Sequence, residues 1–195
     1  MLTVLQLIFS PAKTWMAVAQ RQRGVIWIFL FSLLPLLVIS GAIEVLALIK
    51  LGVRKGLLDH PSLVPQEVAI QFGLIQLGLS LVLLFGGAKF VQWIAEGFHF
   101  FPRYRQVFTT FGFGLGPIFL MRALNCVPVA NTWVWWLLGV ILMVFVLYQG
   151  VALVMEPEQT KGFGFYLLST LAMVIMSGVA QAIAVTALHG KLVLE

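Results

Sequence analysis

Apolar positions along this chain do not alternate with polar ones; they run on, in five long stretches with little charge. A helix needs about 20 such residues to cross a hydrocarbon layer of roughly 30 Å, and each stretch is long enough or nearly so. Span one is predicted over Val25 to Ile49, span two over Val68 to Phe98 and span three over Val107 to Leu124. Span four follows over Thr132 to Met155, and span five over Phe163 to Leu188. Breakers fill the gaps: Gly52, Gly56, Pro61 and Pro65 before span two, Pro102 after it, and Pro128 and Asn131 before span four. Glu156-Pro157-Glu158 closes span four, and His189-Gly190 ends span five. Pro35 lies inside span one, where its missing N–H and bulky ring predict a kink. Span two runs to roughly 46 Å at 1.5 Å per residue, so it tilts strongly or projects beyond the membrane.

Residues 1–24 form an N-terminal segment ahead of the five-span domain at 25–190. Ser10 suits a helix N-cap and Pro11 a first helical position. Trp15 and Val18 fall on one helix face with Lys13 and Arg21 elsewhere, a pattern for a short helix lying on head groups. The apolar run Leu2 to Phe9 precedes the basic residues, the reverse of a secretory signal, so the segment is expected to be retained.

Composition sets the class. Hydrophobic residues make up 61% and charged ones 10%, against roughly 25% charged in soluble domains. Too few polar residues remain to coat a soluble surface. The fold class is all-α, a polytopic transmembrane bundle of five helices with a short N-terminal interfacial helix. The 195 residues leave no room for a separate catalytic domain. The net charge of +5 comes from lysines and arginines scattered between spans, which suits membrane lipids and not nucleic acid. With the N-terminus inside, seven basic residues fall on the cytoplasmic side (Lys13, Arg21, Arg23, Lys89, Arg103, Arg105, Lys161). Five fall outside (Lys50, Arg54, Lys55, Arg122, Lys191), so the count favours a cytoplasmic N-terminus and an extracytoplasmic C-terminus. One cysteine, Cys126, leaves no internal disulfide. No tandem repeat is visible, and five spans do not divide into two equal halves.

Patterns that carry chemistry are missing. There is no GxxxxGK, HExxH, CxxC or GxSxG. His60, His99 and His189 lie far apart. The run at 111–116 follows no strand, so it is not a dinucleotide fingerprint. No catalytic residue, metal or cofactor is expected, and the chain does not read as an enzyme. Glycines point instead to helix contact: Gly112 and Gly116, next to Pro117, and Gly178 with Ala182, repeat the four-residue spacing that lets membrane helices approach closely. Among the charges, Glu44 lies roughly 10 Å from the middle of span one by helix rise, still inside the hydrocarbon. A carboxylate there needs a partner. Gln71, Gln76, Arg122 and Gln181 fall in the same half of the membrane and are expected to form a polar cluster with it. On the other side, Lys89 and Glu96 share a face of span two with Trp93, and Tyr148, Gln149 and Tyr166 lie near the head groups.

Gly112-Phe113-Gly114-Leu115-Gly116-Pro117 resembles the glycine–aromatic–three residues–proline motif in the third span of the Yip family. Ser10-Pro11-Ala12-Lys13-Thr14-Trp15 and Tyr148-Gln149-Gly150 are similar to that family's N-terminal lead-in and to its tyrosine–x–glycine step late in span four. The resemblance implies a five-span fold with a cytosolic N-terminus, and the short soluble parts fit bacterial inner-membrane members. The Asp-Leu-x-Gly-Pro motif of eukaryotic members is absent, and Phe113 stands where the family carries tyrosine. Binding of a Rab-type GTPase is therefore not expected. A membrane-organising or adaptor role, alone or as a homo-oligomer, is expected first, and a transporter, channel or lipid scramblase built on the Glu44 cluster is the alternative.

Overall fold

A computed structural model describes residues 2–21, 23–52, 64–126 and 131–193. Every regular element among them is helical. Two short helices, α1 (Leu2–Phe9) and α2 (Pro11–Arg21), precede five helices long and apolar enough to cross a membrane. These are span one (Val25–Leu51), span two (Gln66–Gly97), span three (Tyr104–Asn125), span four (Thr132–Met155) and span five (Thr160–Leu188). Gly56, Pro61, Pro128, Arg54, Lys55 and His60 lie outside the described residues.

The ends follow local chemistry. The Arg103 N–H donates to Gln106 Oε1 at 3.0 Å, which starts span three three residues earlier than hydropathy predicts. Asn131 accepts from the Trp133 N–H at 3.2 Å and caps span four. Span two closes with His99 at φ 58. The Phe100 N–H reaches the Ala95 carbonyl and the His99 N–H reaches that of Glu96, the Schellman pattern that satisfies a helix's last acceptors. Glu156 turns left-handed at φ 49 to end span four, and Pro157 prevents its continuation.

Pro35 acts one turn earlier than a simple kink would place it. Residues Phe29–Leu33 form a π-helical turn, and Pro35 sits just inside the α-helix that resumes at Leu34. A proline ring collides with the carbonyl four residues back, and a widened turn there relieves the collision.

Span three is the core. Residues 107–119 are all buried. In its apolar window 78% of residues are enclosed, against 28–39% in the other spans. The least hydropathic span is thus the one shielded from lipid. Spans one, two and four press against it, while span five packs on span two. A Cβ on Gly139 of span four would meet the Ile118 backbone at 2.8 Å, so spans three and four touch almost main chain to main chain.

The N-terminal segment also joins the core, which is where the expectation for Trp15 needs correcting. Trp15 is fully buried and donates its indole N–H to the Val146 carbonyl at 2.9 Å. Its ring lies against Gly150 and edge-on to Phe113, 6.4 Å between centroids. Val4 packs on Gly116. An apolar face can be covered by lipid or by protein, and here Trp15, Val4 and Leu7 are covered by spans three and four.

Candidate functional site

Five buried polar residues, Glu44, Gln76, Ser80, Arg122 and Gln181, converge at the end of the bundle opposite α2. Leu37, Ser40, Glu44 and Ala47, at three- and four-residue steps, form the enclosed face of span one, so Glu44 points inward. Glu44 and Arg122 are 3% and 7% exposed and form an ion pair of 3.1 Å through Arg122 Nη2 and Glu44 Oε2. Arg122 Nε donates to the same oxygen at 3.3 Å. The other carboxylate oxygen accepts from Asn125 Nδ2 at 2.8 Å, one helical turn beyond Arg122.

Span two brings the next layer. Gln76 and Ser80 are four apart on one face, and Ser80 Oγ donates to the Gln76 carbonyl at 2.7 Å. Arg122 Nη1 donates to Ser80 Oγ at 2.9 Å. With the Gln76 amide oxygen toward the guanidinium, that oxygen accepts from Arg122 Nε at 3.0 Å and Nη2 at 3.3 Å. In the opposite orientation Gln76 Nε2 donates to Gln181 Oε1 on span five at 3.3 Å, and Gln181 Nε2 donates to Thr132 Oγ1 at the start of span four at 3.3 Å. All five spans therefore contribute to one network. A cavity of about 20 Å³ beside it, lined by Gln76, Ser80, Arg122, Trp136, Ser177 and Gln181, has room for about one water.

Of the residues expected to cluster, Glu44, Gln76, Arg122 and Gln181 meet. Gln71 is exposed, on a different face of span two from Gln76. Sequence reasoning missed Ser80, Asn125 and Thr132. The signal for the first two was available in their spacing, Ser80 four residues after Gln76 and Asn125 three after Arg122. Thr132 carried none.

The small residues make contacts within the chain. Gly112 faces Leu33 and Leu84, Gly116 faces Val4, and Gly178 faces Trp136. Pro117 is buried and Ala182 half-buried. Gly114 against Leu147, Gly139 and Gly150 are equally tight and were not among the packing positions expected from the sequence. Toward the N-terminal side, Lys89 and Glu96 are exposed, and Lys89 donates to Gln92 at 3.0 Å. Tyr148 is exposed with its ring edge-on to Tyr166 at 5.4 Å, and the Tyr166 hydroxyl donates to the Val144 carbonyl at 3.0 Å. Gln149 Oε1 is buried with no hydrogen-bond partner among the described residues. These groups do not converge as the opposite cluster does. Among the described residues, no three His, Cys, Asp or Glu side chains could hold one metal ion.

Five apolar helices, the third of them mostly enclosed, tied by an internal ionic network, define a multi-pass α-helical integral membrane protein. The chain belongs to the Yip family: it matches the Yip1 domain over residues 5–190. No curated protein and no solved structure matches it.

Proposed function

We propose that this protein is a non-enzymatic membrane-organising or adaptor protein of the bacterial inner membrane. Its N-terminus is cytoplasmic and its C-terminus extracytoplasmic. It acts through helix packing and lipid head-group contacts, not by moving a solute. One observation carries this reading: the intramembrane charges are spent on each other. Glu44 and Arg122 use their hydrogen-bonding groups on side chains from the protein itself, and the adjoining space holds about one water. A transport site needs unfilled ligand positions and a path. A cluster that draws on every span and pairs its two charges with each other is a lock. Since Gly112, Gly116 and Gly178 are occupied internally, contacts with other proteins or a second copy fall to the lipid-facing helix surfaces, where a Cβ on Gly78 would meet nothing within 4 Å.

The competing reading, a transporter, channel or lipid scramblase, draws on buried polar atoms at the cluster without a partner among the described residues, Asn125 Oδ1 and Trp136 Nε1. The test is cross-linking in native membranes through cysteines placed on exposed span positions such as Gly78→Cys, followed by mass spectrometry. The adaptor reading predicts a defined oligomer or a specific protein neighbour. A strictly monomeric protein with no neighbour from any exposed span contradicts it.

A further inference from the structure

Between α1 and α2 lies a cleft of about 480 Å³ that the ionic lock does not use, within the size range of small-ligand sites. Thr3, Gln6 and Phe9 line it from α1, and Lys13, Val18 and Arg21 from α2. Three features set its chemistry. The walls are amphiphilic, with Lys13 and Arg21 beside Val18 and a Phe9 ring that is 84% exposed. No acidic residue precedes Glu44, so neither α1 nor α2 carries a negative side chain beside Lys13 and Arg21. Neither Lys13 nor Arg21 has an ion pair among the described residues, while the Arg23 guanidinium stacks 3.5 Å over Trp27. The third feature is depth. Val4 rests on Gly116, twelve residues into span three, or roughly 18 Å by helix rise. Thus α1 dips into one leaflet, while Lys13 and Arg21 sit on the helix that leads back to span one.

We propose that this cleft binds an anionic phospholipid of the cytoplasmic leaflet. Its phosphate is held by Lys13 and Arg21, and the start of its acyl region lies along Phe9 and Val18. A cationic mouth whose Lys13 and Arg21 are in no ion pair among the described residues selects a negative head group, and an exposed aromatic wall selects an amphiphile over a free anion. The proposal deepens the head-group contact assigned above and rests on that reading. It makes the N-terminal helices the lipid-recognising part and the five-span bundle their support.

The test is native mass spectrometry of the whole protein after equilibration with equimolar palmitoyl-oleoyl phosphatidylglycerol and phosphatidylcholine. The expected result is one phosphatidylglycerol retained in preference to phosphatidylcholine. The fraction retained is expected to fall about tenfold or more in Lys13→Gln/Arg21→Gln, at about 1 kcal/mol per basic residue. Both side chains are exposed, so the variant keeps its fold, checked by an unchanged melting temperature. The variant Lys161→Gln/Arg103→Gln removes the same charge elsewhere and is expected to retain the lipid. Equal loss in both double variants, or no loss in either, overturns the proposal. So does displacement of the lipid by millimolar inorganic phosphate, which would make the cleft a free-anion site. If neighbours cross-link but no lipid is retained, this inference alone falls. If the lipid is retained and a solute is transported, the adaptor reading alone falls.

Discussion

At the scale of single residues, the central fact is that Glu44 and Arg122 are each tolerable only because of the other. Removing one partner of a buried pair leaves an uncompensated charge, at about 3–5 kcal/mol, whereas replacing both with apolar groups is often neutral. Arg122→Met is therefore expected to lower stability by about that amount, and Glu44→Leu/Arg122→Met to recover most of it. Thermal unfolding in one mild detergent checks both. Glu44 was legible in the sequence because helix rise places it inside the hydrocarbon. Arg122, at a helix end, read equally well as a surface anchor, and only the packing of span three against span one shows it buried. Spacing puts Ser80 on the face of Gln76 and Asn125 on that of Arg122, but which atoms they meet across the helices, Arg122 for Ser80 and Glu44 for Asn125, comes from the packing.

At the scale of elements, the spans were readable to within about three residues, because lipid demands long apolar runs and helix ends demand caps and breakers, except that the last helix does not stop at His189-Gly190 but runs to Val193. What could not be read was which face meets protein. Span three shows why: enclosed helices and lipid-facing helices are both apolar, and its slightly lower hydropathy is the only trace of its central place. The same ambiguity hid the docking of Trp15, whose apolar face fits a head-group layer as well as a groove between spans three and four. The glycines separate these cases experimentally. A Cβ at Gly139 meets main chain, which cannot swing aside, so Gly139→Ala is expected to cost about 1–3 kcal/mol. Gly78→Ala, which meets nothing within 4 Å, is expected to be neutral or slightly stabilising. Trp15→Phe keeps most of the ring but loses the bond to Val146, an expected loss of about 1 kcal/mol. Melting temperatures of the three variants, measured side by side, check this order.

At the scale of the whole molecule, the two ends of the bundle differ in kind. One is closed by a network from every span, and the other carries the α1–α2 hairpin, its cationic cleft and exposed aromatic residues such as Trp93 and Phe101. The proposed orientation puts the hairpin in the cytoplasmic leaflet. With Cys126 replaced by serine, a membrane-impermeant maleimide is then expected to label Gly190→Cys in intact cells and Ser10→Cys only after permeabilisation. The reverse pattern would invert the topology. In the proposed function, the buried charges hold the bundle together and conduct nothing. The most direct test is reconstitution into sealed proteoliposomes, with the movement of ions, small solutes and labelled lipid followed for wild type and Glu44→Gln. Rates equal to those of protein-free vesicles are expected for both. A saturable flux in wild type that Glu44→Gln abolishes would contradict a purely structural lock and make the Glu44 network a transport site.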